Sequence, residues 1–229
     1  MPKGFIIAID GPAASGKGAI ALALAKDLNG FYLYTGAMYR CLALICIERG
    51  LDLERENEVE SALTGINIQF ENNQIMLNGS DVSERIKQAD TASGASKVGV
   101  YPKVRESLDQ KLREIATKVC DKGQIVVTEG RDTATTIFPS AVLKIYLSAR
   151  PEIRAKRRME QYIKKEKDLS KELQELKVRD KRDKERLASP LASNPQDLGY
   201  FVLDNSDMTE SETLNVIKKE LKKRELIND

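Results

Sequence analysis

The sequence predicts an α/β fold, in which helices cover both faces of a parallel sheet. Three observations indicate it. A continuous apolar run lies near residue 5, a glycine-rich turn and a helix follow it directly, and strand-like and helical segments alternate further along the chain. The 229 residues are enough for one compact domain with a small inserted subdomain. We therefore expect residues 1–229 to form a single domain.

The first elements are a buried strand and two helices. The run Phe5–Ile9 is continuous and rich in β-branched residues, which is typical of a strand buried on both faces. One helix is predicted over Lys17–Leu28 and another over Met38–Arg49.

A β-hairpin is predicted next. Apolar residues alternate with polar ones on both sides of Asn72-Asn73, and they are Ile66, Ile68, Phe70, Ile75 and Leu77. Because a hairpin does not fit the surrounding β-α alternation, we assign residues 60–100 to an inserted lobe.

The alternation then resumes to the end of the chain. A helix is predicted over Pro102–Cys120, and a last one begins near Glu210. The predicted strands between them are Gln124–Thr128, Val142–Leu147 and Phe201–Leu203. Segment 151–188 reads as helical, with many Lys and Arg residues and few large apolar ones.

Composition excludes several classes of chemistry. The chain has no His, so Ser–His–Asp and Cys–His nucleophile systems and most zinc sites are excluded. A net charge of +2 gives no global field toward nucleic acid or a membrane surface. Three scattered Cys residues indicate free thiols in a reducing compartment. The apolar run near the N-terminus has neither the length of a membrane span nor a cleavage pattern, so we expect a cytoplasmic protein. No exposed apolar stripe stands out in the sequence, so we expect a monomer.

A phosphate-binding loop is the most informative motif. Residues 11–17 fit G-x-x-x-x-G-K directly after a buried strand and directly before a helix. Backbone N–H groups of such a loop surround an anion, and the helix N-terminus adds its positive end. We predict that nucleotide phosphates bind to Gly11, Pro12, Ala13, Ala14, Ser15, Gly16, Lys17, Gly18 and Ala19, with Lys17 reaching the β- and γ-phosphates.

The usual magnesium-binding hydroxyl is missing from the loop. Gly18 and Ala19 stand where a hydroxyl residue usually helps to hold Mg²⁺, so phosphates, waters and a carboxylate such as Asp10 or Asp132 would have to hold the ion.

Two other features narrow the class of P-loop protein. The chain has no NKxD segment, which argues against a GTPase. Its length is too small for most ATPase motors. A kinase of a small acceptor is the simplest interpretation.

Five further segments occur in order along nearly the whole chain. They are Tyr34-Thr35-Gly36-Ala37-Met38-Tyr39-Arg40, then Ala95-Ser96-Lys97-Val98 with Pro102-Lys103-Val104-Arg105, then Glu129-Gly130-Arg131-Asp132 with Phe138-Pro139, then Arg154-Ala155-Lys156-Arg157-Arg158, and Arg179 to Arg186 followed by Pro190-Leu191. Together they resemble the bacterial cytidylate kinase family. This resemblance implies a P-loop kinase fold with a five-stranded parallel sheet, including a strand that ends before Thr35. It also implies transfer of the γ-phosphoryl group of ATP to CMP or dCMP with Mg²⁺.

The resemblance also implies roles for the matching residues. Arg40 and Arg131 are expected to hold the phosphate of CMP, and Arg186 its base or phosphate. Thr35, Arg105 and Asp132 are expected around the cytosine edge, and Ser96, Arg179 and Asp183 at the ribose hydroxyls. Lys17, Arg131 and the ATP-side Arg157 are expected to neutralise charge during phosphoryl transfer. The lobe 60–100 resembles the family's acceptor-side subdomain, and segment 151–188 resembles its lid.

Physical reasoning gives these roles some independent support. An acceptor phosphate carries nearly two negative charges, so it attracts arginines and needs no strong general base. Guanidinium groups match phosphate oxygens well. The alternative for Arg157 is a solvated helix face, and for Arg179, Asp183 and Arg186, at i, i+4 and i+7, a surface ion-pair ladder. Ser96 has the alternative of a small helix residue.

The chain departs from the family's pattern at four places. Tyr34 replaces a common Asp, Ala19 replaces a hydroxyl residue, Ala134 stands at a glycine position, and Gly199-Tyr200 replace smaller residues. We expect Ala19 to affect metal binding and Tyr34 to alter the acceptor pocket. Ala134 would be strained at a positive φ, and such strain could move Asp132. Two alternatives to a cytidylate kinase therefore stay open, a catalytically silent nucleotide-binding protein and a P-loop kinase of another small acceptor.

Overall fold

The computed structural model describes residues 4–71, 74–160 and 168–228. The strands of the described part are β1 (Ile6–Asp10), β2 (Phe31–Tyr34), β3 (Ile68–Glu71), β4 (Gln74–Leu77), β5 (Ser80–Asp81), β6 (Val126–Gly130), β7 (Leu143–Ser148) and β8 (Phe201–Asp204). The helices are α1 (Lys17–Asp27), α2 (Thr35–Glu48), α3 (Glu56–Ser61), α4 (Ala89–Val98), α5 (Pro102–Cys120), α6 (Pro151–Glu160), α7 (Leu169–Glu185) and α8 (Glu210–Lys223). The Asn72-Asn73 turn and residues 161–167 of the predicted lid lie outside the described residues.

The predicted five-stranded parallel sheet is confirmed. Its strands lie in the order β2-β6-β1-β7-β8, and every neighbouring pair is parallel. The strand before Thr35 is β2, and α2 follows it without a connecting loop, three residues earlier than the sequence predicted. Strand β6 runs two residues later than predicted, so that it carries Gly130 to the carboxyl edge of the sheet.

Helices cover both faces of the sheet. Successive strand residues point to opposite faces, so Ile7 and Ile9 join one core cluster while Ala8 joins the other. The first cluster is closed by α1 and α8, and the second by α2 and α5. In the described part of the chain, no helix combines the length and apolarity that crossing a membrane requires.

The hairpin forms as predicted and extends to a third short strand. Strands β3, β4 and β5 make an antiparallel sheet in which Ile68 pairs with Leu77. The apolar side chains of the hairpin pack into the same core cluster as Leu42 of α2. Ile66, which was predicted to lie in the first strand, precedes it.

Helices α6 and α7 pack on the glycine-rich loop that follows β1. Arg154 is buried and donates to the Ala13 carbonyl over 2.9 Å, and its guanidinium lies 2.7 Å from Asp180. Leu176 and Ala155 complete a small apolar contact with Ala13. Residues 151–160 and 169–185 of segment 151–188 are therefore helical, as predicted. A buried ion pair joins the two helices, and hydrogen bonds at Ala13 tie them to the loop.

Candidate active site

A cavity of about 550 Å³ opens at the carboxyl edge of the sheet, where open α/β sheets bind their ligands. It is lined by the glycine-rich loop, by the start of α2, by α4 and by α7. Every residue predicted to contact the acceptor lies in this lining: Thr35, Arg40, Ser96, Arg105, Arg131, Asp132, Arg179, Asp183 and Arg186. From the loop, the lining includes Ala13, Ala14, Gly16, Lys17, Gly18 and Ala19, while Gly11, Pro12 and Ser15 are buried beneath it.

The loop is fixed from below by Asp10 at the end of β1. The fully buried Asp10 carboxylate accepts hydrogen bonds from the backbone N–H groups of Thr133 and Ala134, both over 2.8 Å, and from the Tyr200 hydroxyl over 2.7 Å. Burial raises the pKa of Asp10, although these hydrogen bonds oppose the shift. Asp10 does not line the cavity, so it is a structural anchor rather than the magnesium ligand suggested by sequence.

Two of the departures noted in the sequence are explained by this anchor. Ala134 does not adopt a positive φ, because it lies in a π-helical turn over Thr133–Ile137. The predicted strain is therefore absent. Tyr200 supplies a hydroxyl donor to Asp10, and Gly199 adopts the left-handed conformation that turns the chain toward it.

The close packing of the loop explains its first glycine. A Cβ on Gly11 would lie 2.1 Å from the Leu147 carbonyl oxygen, so only glycine fits between β1 and β7. By contrast, Ala14 carries a side chain at φ 58°, a conformation that costs an L-residue about 1 kcal/mol.

Lys17 is the cation of the loop. It is only 6% exposed, donates to the Pro12 carbonyl over 3.1 Å and lies 3.9 Å from the Glu129 carboxylate. Burial, with the nearby charge of Arg131, lowers the pKa of Lys17 to about 7. An anion bound beside it would compensate for this loss of hydration and favour the ammonium form.

Arg131 and Arg179 form a second positive centre. Arg131 donates from Nε to Asp183 over 2.7 Å. Burial, followed by the charge of Arg131, lowers the pKa of Arg179 to about 10. Burial alone would raise the pKa of Asp183, but Arg131 and Arg179 hold it below its ordinary value. Two neighbouring guanidinium groups with one shared carboxylate suit an anionic ligand.

Asp132 sits between two arginines. Its carboxylate accepts from Arg105 on one side and from Arg186 on the other, over 2.6 Å in the second case. Arg105 also donates to the Gly99 carbonyl, and its guanidinium lies 5.4 Å from the Tyr39 ring centroid. These contacts hold a carboxylate and two guanidinium groups at one end of the cavity.

The remaining predicted residues take up more varied positions. The Thr35 hydroxyl donates to the Glu129 carbonyl over 2.7 Å and lines the cavity beside it. Arg40 donates to the Ile86 carbonyl over 2.8 Å. Ser96 lies on α4 with its side chain half-buried in the lining.

Arg157 is the predicted catalytic residue that the structure does not bring to the cavity. Its guanidinium donates to the carbonyl oxygens of Ser15 and Asn205 and to the Asn205 side chain, so it supports the loop from outside. The neighbouring Arg158 lines the cavity instead and lies 2.5 Å from Glu172. A run of adjacent charged residues gives no sign of which one faces the ligand.

Sequence reasoning missed Glu129, Tyr32 and Tyr39. All three line the cavity. Glu129 stands directly before Gly130-Arg131-Asp132 at the carboxyl end of β6, and that position was a usable signal. Tyr39 lies within the segment Tyr34 to Arg40 that carries the family resemblance, so it too had a signal. Tyr32 had none, because an aromatic residue in a strand usually belongs to the core.

Comparison with known proteins agrees with this geometry. The cytidylate kinase family profile matches residues 7–223. A cytidylate kinase of Neisseria meningitidis serogroup A is 40% identical over 219 residues, covering 95% of this chain and 97% of the relative. A cytidylate kinase of Solibacter usitatus is 38% identical over 226 residues, covering 97% and 94%. Among solved structures, an uncharacterized protein from Eubacterium ventriosum shares the fold, with a TM-score of 0.54 at 14% identity, over 95% of this chain and 98% of that one.

Proposed function

The chain belongs to the cytidylate kinase family, and we propose that the cavity at its sheet edge is where it transfers the γ-phosphoryl group of ATP to CMP or dCMP. The products are ADP and CDP or dCDP. The observation that carries this assignment is the convergence of Lys17, Arg131 and Arg179 on one cavity whose other end holds Asp132 between Arg105 and Arg186.

The donor nucleotide binds at the loop. Its β- and γ-phosphates lie against the backbone of residues 13–19, and Lys17 contacts them as an ammonium ion. Because the helix N-terminus and the buried lysine both favour negative charge, the triphosphate is held at the end of the cavity nearest β1.

The acceptor binds across the cavity from the loop. Arg40 and Arg131 hold its phosphate, Asp132 and Arg105 read the cytosine edge, and Thr35 closes the pocket beside them. Cytosine presents an amino donor next to acceptors, so a carboxylate paired with a guanidinium matches its edge. Arg186 contacts base or phosphate, and Ser96, Arg179 and Asp183 face the ribose.

Transfer requires positioning and neutralisation of charge rather than a general base. An oxygen of the acceptor phosphate attacks the γ-phosphorus, and the bond to the β–γ bridging oxygen breaks. Lys17 and Arg131 neutralise the charge that spreads over the equatorial oxygens. Arg157 acts indirectly, by fixing the loop through Ser15 and Asn205.

Magnesium is expected to bind mainly through phosphate oxygens and water. Among the described residues, no group of three metal-ligating side chains gathers. Asp132 and Asp183 are paired with arginines, whereas Glu129 has Lys17 at 3.9 Å. A Cβ built on Gly18 would lie 3.9 Å from Glu129 Oε1 and 3.7 Å from the Tyr32 hydroxyl, so these oxygens lie beside the loop residue that follows Lys17. We assign Glu129 as the carboxylate that would hold the hydrated ion, which would help to neutralise the charge of the phosphates.

Two peripheral segments complete the enzyme. Residues 60–100 form the acceptor-side lobe, and they contribute Lys87, Ala92, Ala95, Ser96 and Gly99 to the cavity. Segment 151–188 forms the lid, contributing Arg158, Arg179, Asp183 and Arg186. Closure of both over the nucleotides excludes water that would otherwise hydrolyse ATP.

We also propose that the enzyme is a cytoplasmic monomer. The three described cysteines are buried free thiols, which suits a reducing compartment. Sedimentation velocity tests the monomeric state. A concentration-dependent shift to twice the monomer mass would contradict it.

A coupled ADP-release assay with ATP and Mg²⁺ tests the function, with CMP, dCMP, UMP and AMP as acceptors. We expect fast turnover with CMP or dCMP and its loss in Asp132→Ala. The matched control is Asp27→Ala, which removes a surface carboxylate paired with Lys218. Measurable ATP binding without turnover of any acceptor would favour the silent binder, and preferred turnover of a different acceptor would favour the other kinase.

A further inference from the structure

Tyr34 stands where the family commonly has Asp, and its ring occupies a defined place beside the cavity. It ends β2 at the carboxyl edge of the sheet, half-buried, and lines the cavity. The ring lies over Gly36, since a Cβ on that residue would be 2.7 Å from Tyr34 Cε2 and 3.2 Å from its hydroxyl oxygen. The ring of Tyr32 lies parallel to it at 6.3 Å between centroids. The absence of a side chain on Gly36 is therefore what lets the ring take this place.

The guanidinium of Arg40 lies over the Tyr34 ring. The central carbon of that group lies 5.6 Å from the ring centroid, within the range of a cation–π contact. A second restraint comes from the lobe, where the Ile86 carbonyl accepts from Arg40 Nη1 over 2.8 Å. Two contacts from different parts of the fold thus fix one guanidinium at the cavity wall.

An aromatic ring and a carboxylate interact with an arginine in different ways. An Asp at position 34 would pair with Arg40 and neutralise it, and would then compete with a phosphate for the same N–H donors. An aromatic face attracts the cation through its quadrupole, and it leaves the N–H donors of Arg40 available for strong hydrogen bonds to a phosphate. Burial raises the pKa of Tyr34, so the ring also stays uncharged near neutral pH.

We propose that Tyr34 is a positioning residue of this chain, whose ring presents Arg40 to the phosphate of the acceptor nucleotide. The proposal rests on the function proposed above, in which Arg40 binds that phosphate. It concerns the acceptor phosphate alone, because the base is read elsewhere by Asp132 and Arg105. Loss of the ring therefore weakens acceptor binding without changing donor binding.

Steady-state kinetics of Tyr34→Leu and Tyr34→Phe give the first test. Loss of the ring is expected to raise KM for CMP about three- to tenfold, as a cation–π contact of ordinary strength implies. KM for ATP should stay within about twofold of wild type. The phenylalanine variant keeps the ring and should retain the wild-type KM for CMP. Equal rises in both KM values, or no recovery with phenylalanine, would overturn the proposal.

A double-mutant cycle with Arg40→Met isolates the coupling between the two residues. If the ring acts through Arg40, Tyr34→Leu should have little further effect on KM for CMP once Arg40 is gone. Additive effects would show that Tyr34 acts by another route. Gly36→Ala supplies a variant that keeps both partners but pushes the ring away, and it should reproduce the rise in KM for CMP. Thermal unfolding of each variant confirms that the fold is intact.

Calorimetric binding of CMP and cytidine separates this proposal from the function itself. Tyr34→Leu should weaken CMP binding by the same factor as it raises KM, and should leave cytidine binding unchanged because cytidine has no phosphate. Equal weakening of both ligands would overturn the positioning role. If wild type bound CMP but failed to phosphorylate it, the function would fail while this comparison still decided the role of Tyr34.

Discussion

Lys17 is expected to take up a proton when ATP binds, because its pKa in the free protein is lowered to about 7. Burial and the charge of Arg131 cause the shift, and bound phosphates oppose both. At pH 8, about 0.9 of the Lys17 side chains are neutral in the free protein, and at pH 6 about 0.1. If ATP restores the ammonium form, uptake is about 0.9 proton per ATP at pH 8 and about 0.1 at pH 6.

Calorimetric titration of ATP in two buffers with different ionisation enthalpies measures this uptake. Lys17→Gln should abolish it, whereas Lys26→Gln, which changes an exposed lysine of the same helix, should not. The γ-phosphate of ATP loses protons in a cationic site near pH 6, which is opposite in sign to the Lys17 effect. Uptake that does not grow between pH 6 and pH 8, or that survives in Lys17→Gln, would refute the mechanism.

A second test of the lowered Lys17 pKa uses the free protein and needs no ligand. The folded pKa of Lys17 is about 7 and the unfolded one about 10.5, so the unfolded state binds more protons between these values and stability rises with pH there. Below pH 7 the full penalty of burying the charge is present. Relative to Lys17→Met, the free energy of unfolding of wild type should increase by about 2 kcal/mol from pH 7 to pH 9. Denaturant unfolding of both proteins at the two pH values measures it, and a constant difference would contradict the shifted pKa.

Three further predictions concern the loop and the lid. Arg157→Ala should raise KM for ATP about tenfold with little change in KM for CMP, because charged hydrogen bonds to the loop are lost. A large fall in kcat at unchanged KM for ATP would instead indicate that Arg157 contacts the transferring group directly. Ala14→Gly should leave stability unchanged or raise it by up to about 1 kcal/mol in denaturant unfolding, because Ala14 has φ 58°. Its control, Ala21→Gly in the interior of α1, should destabilise by about 1 kcal/mol or more, and equal losses in both variants would contradict the strain. Residues 151–160 and 168–186 should gain hydrogen-exchange protection when ATP and CMP bind together, and unchanged exchange there would argue against lid closure.

The sequence predicted those elements whose ends carry local signals. Pro102 occupies the first turn of α5, where its missing N–H costs nothing, and both ends of that helix were predicted correctly. The glycine-rich loop was equally clear, because strand, turn and helix meet within a few residues. By contrast, the choice between Arg157 and Arg158 depends on how α6 packs. Its buried face is formed by Arg154 and Ala155, and a buried arginine gives no hydrophobic periodicity. The contact of Tyr34 with Arg40 was hidden for a similar reason, since it depends on α2 following β2 without a loop.

The overall composition does not show how unevenly charge is distributed in this protein. The whole chain carries a net charge of +2. Yet the described residues that line the cavity include eight cationic side chains and three carboxylates, an excess of five. The rest of the protein is therefore acidic on balance, and the positive potential is concentrated where two anionic nucleotides meet. Walls of low dielectric focus such a field and speed the capture of anions. We accordingly expect kcat/KM for CMP to fall by about tenfold or more between about 0.05 M and 0.5 M KCl, since the Debye length shrinks from about 14 Å to about 4 Å over that range. A kcat/KM that is independent of salt would mean that the paired carboxylates already screen the cavity, and that binding depends on short contacts alone.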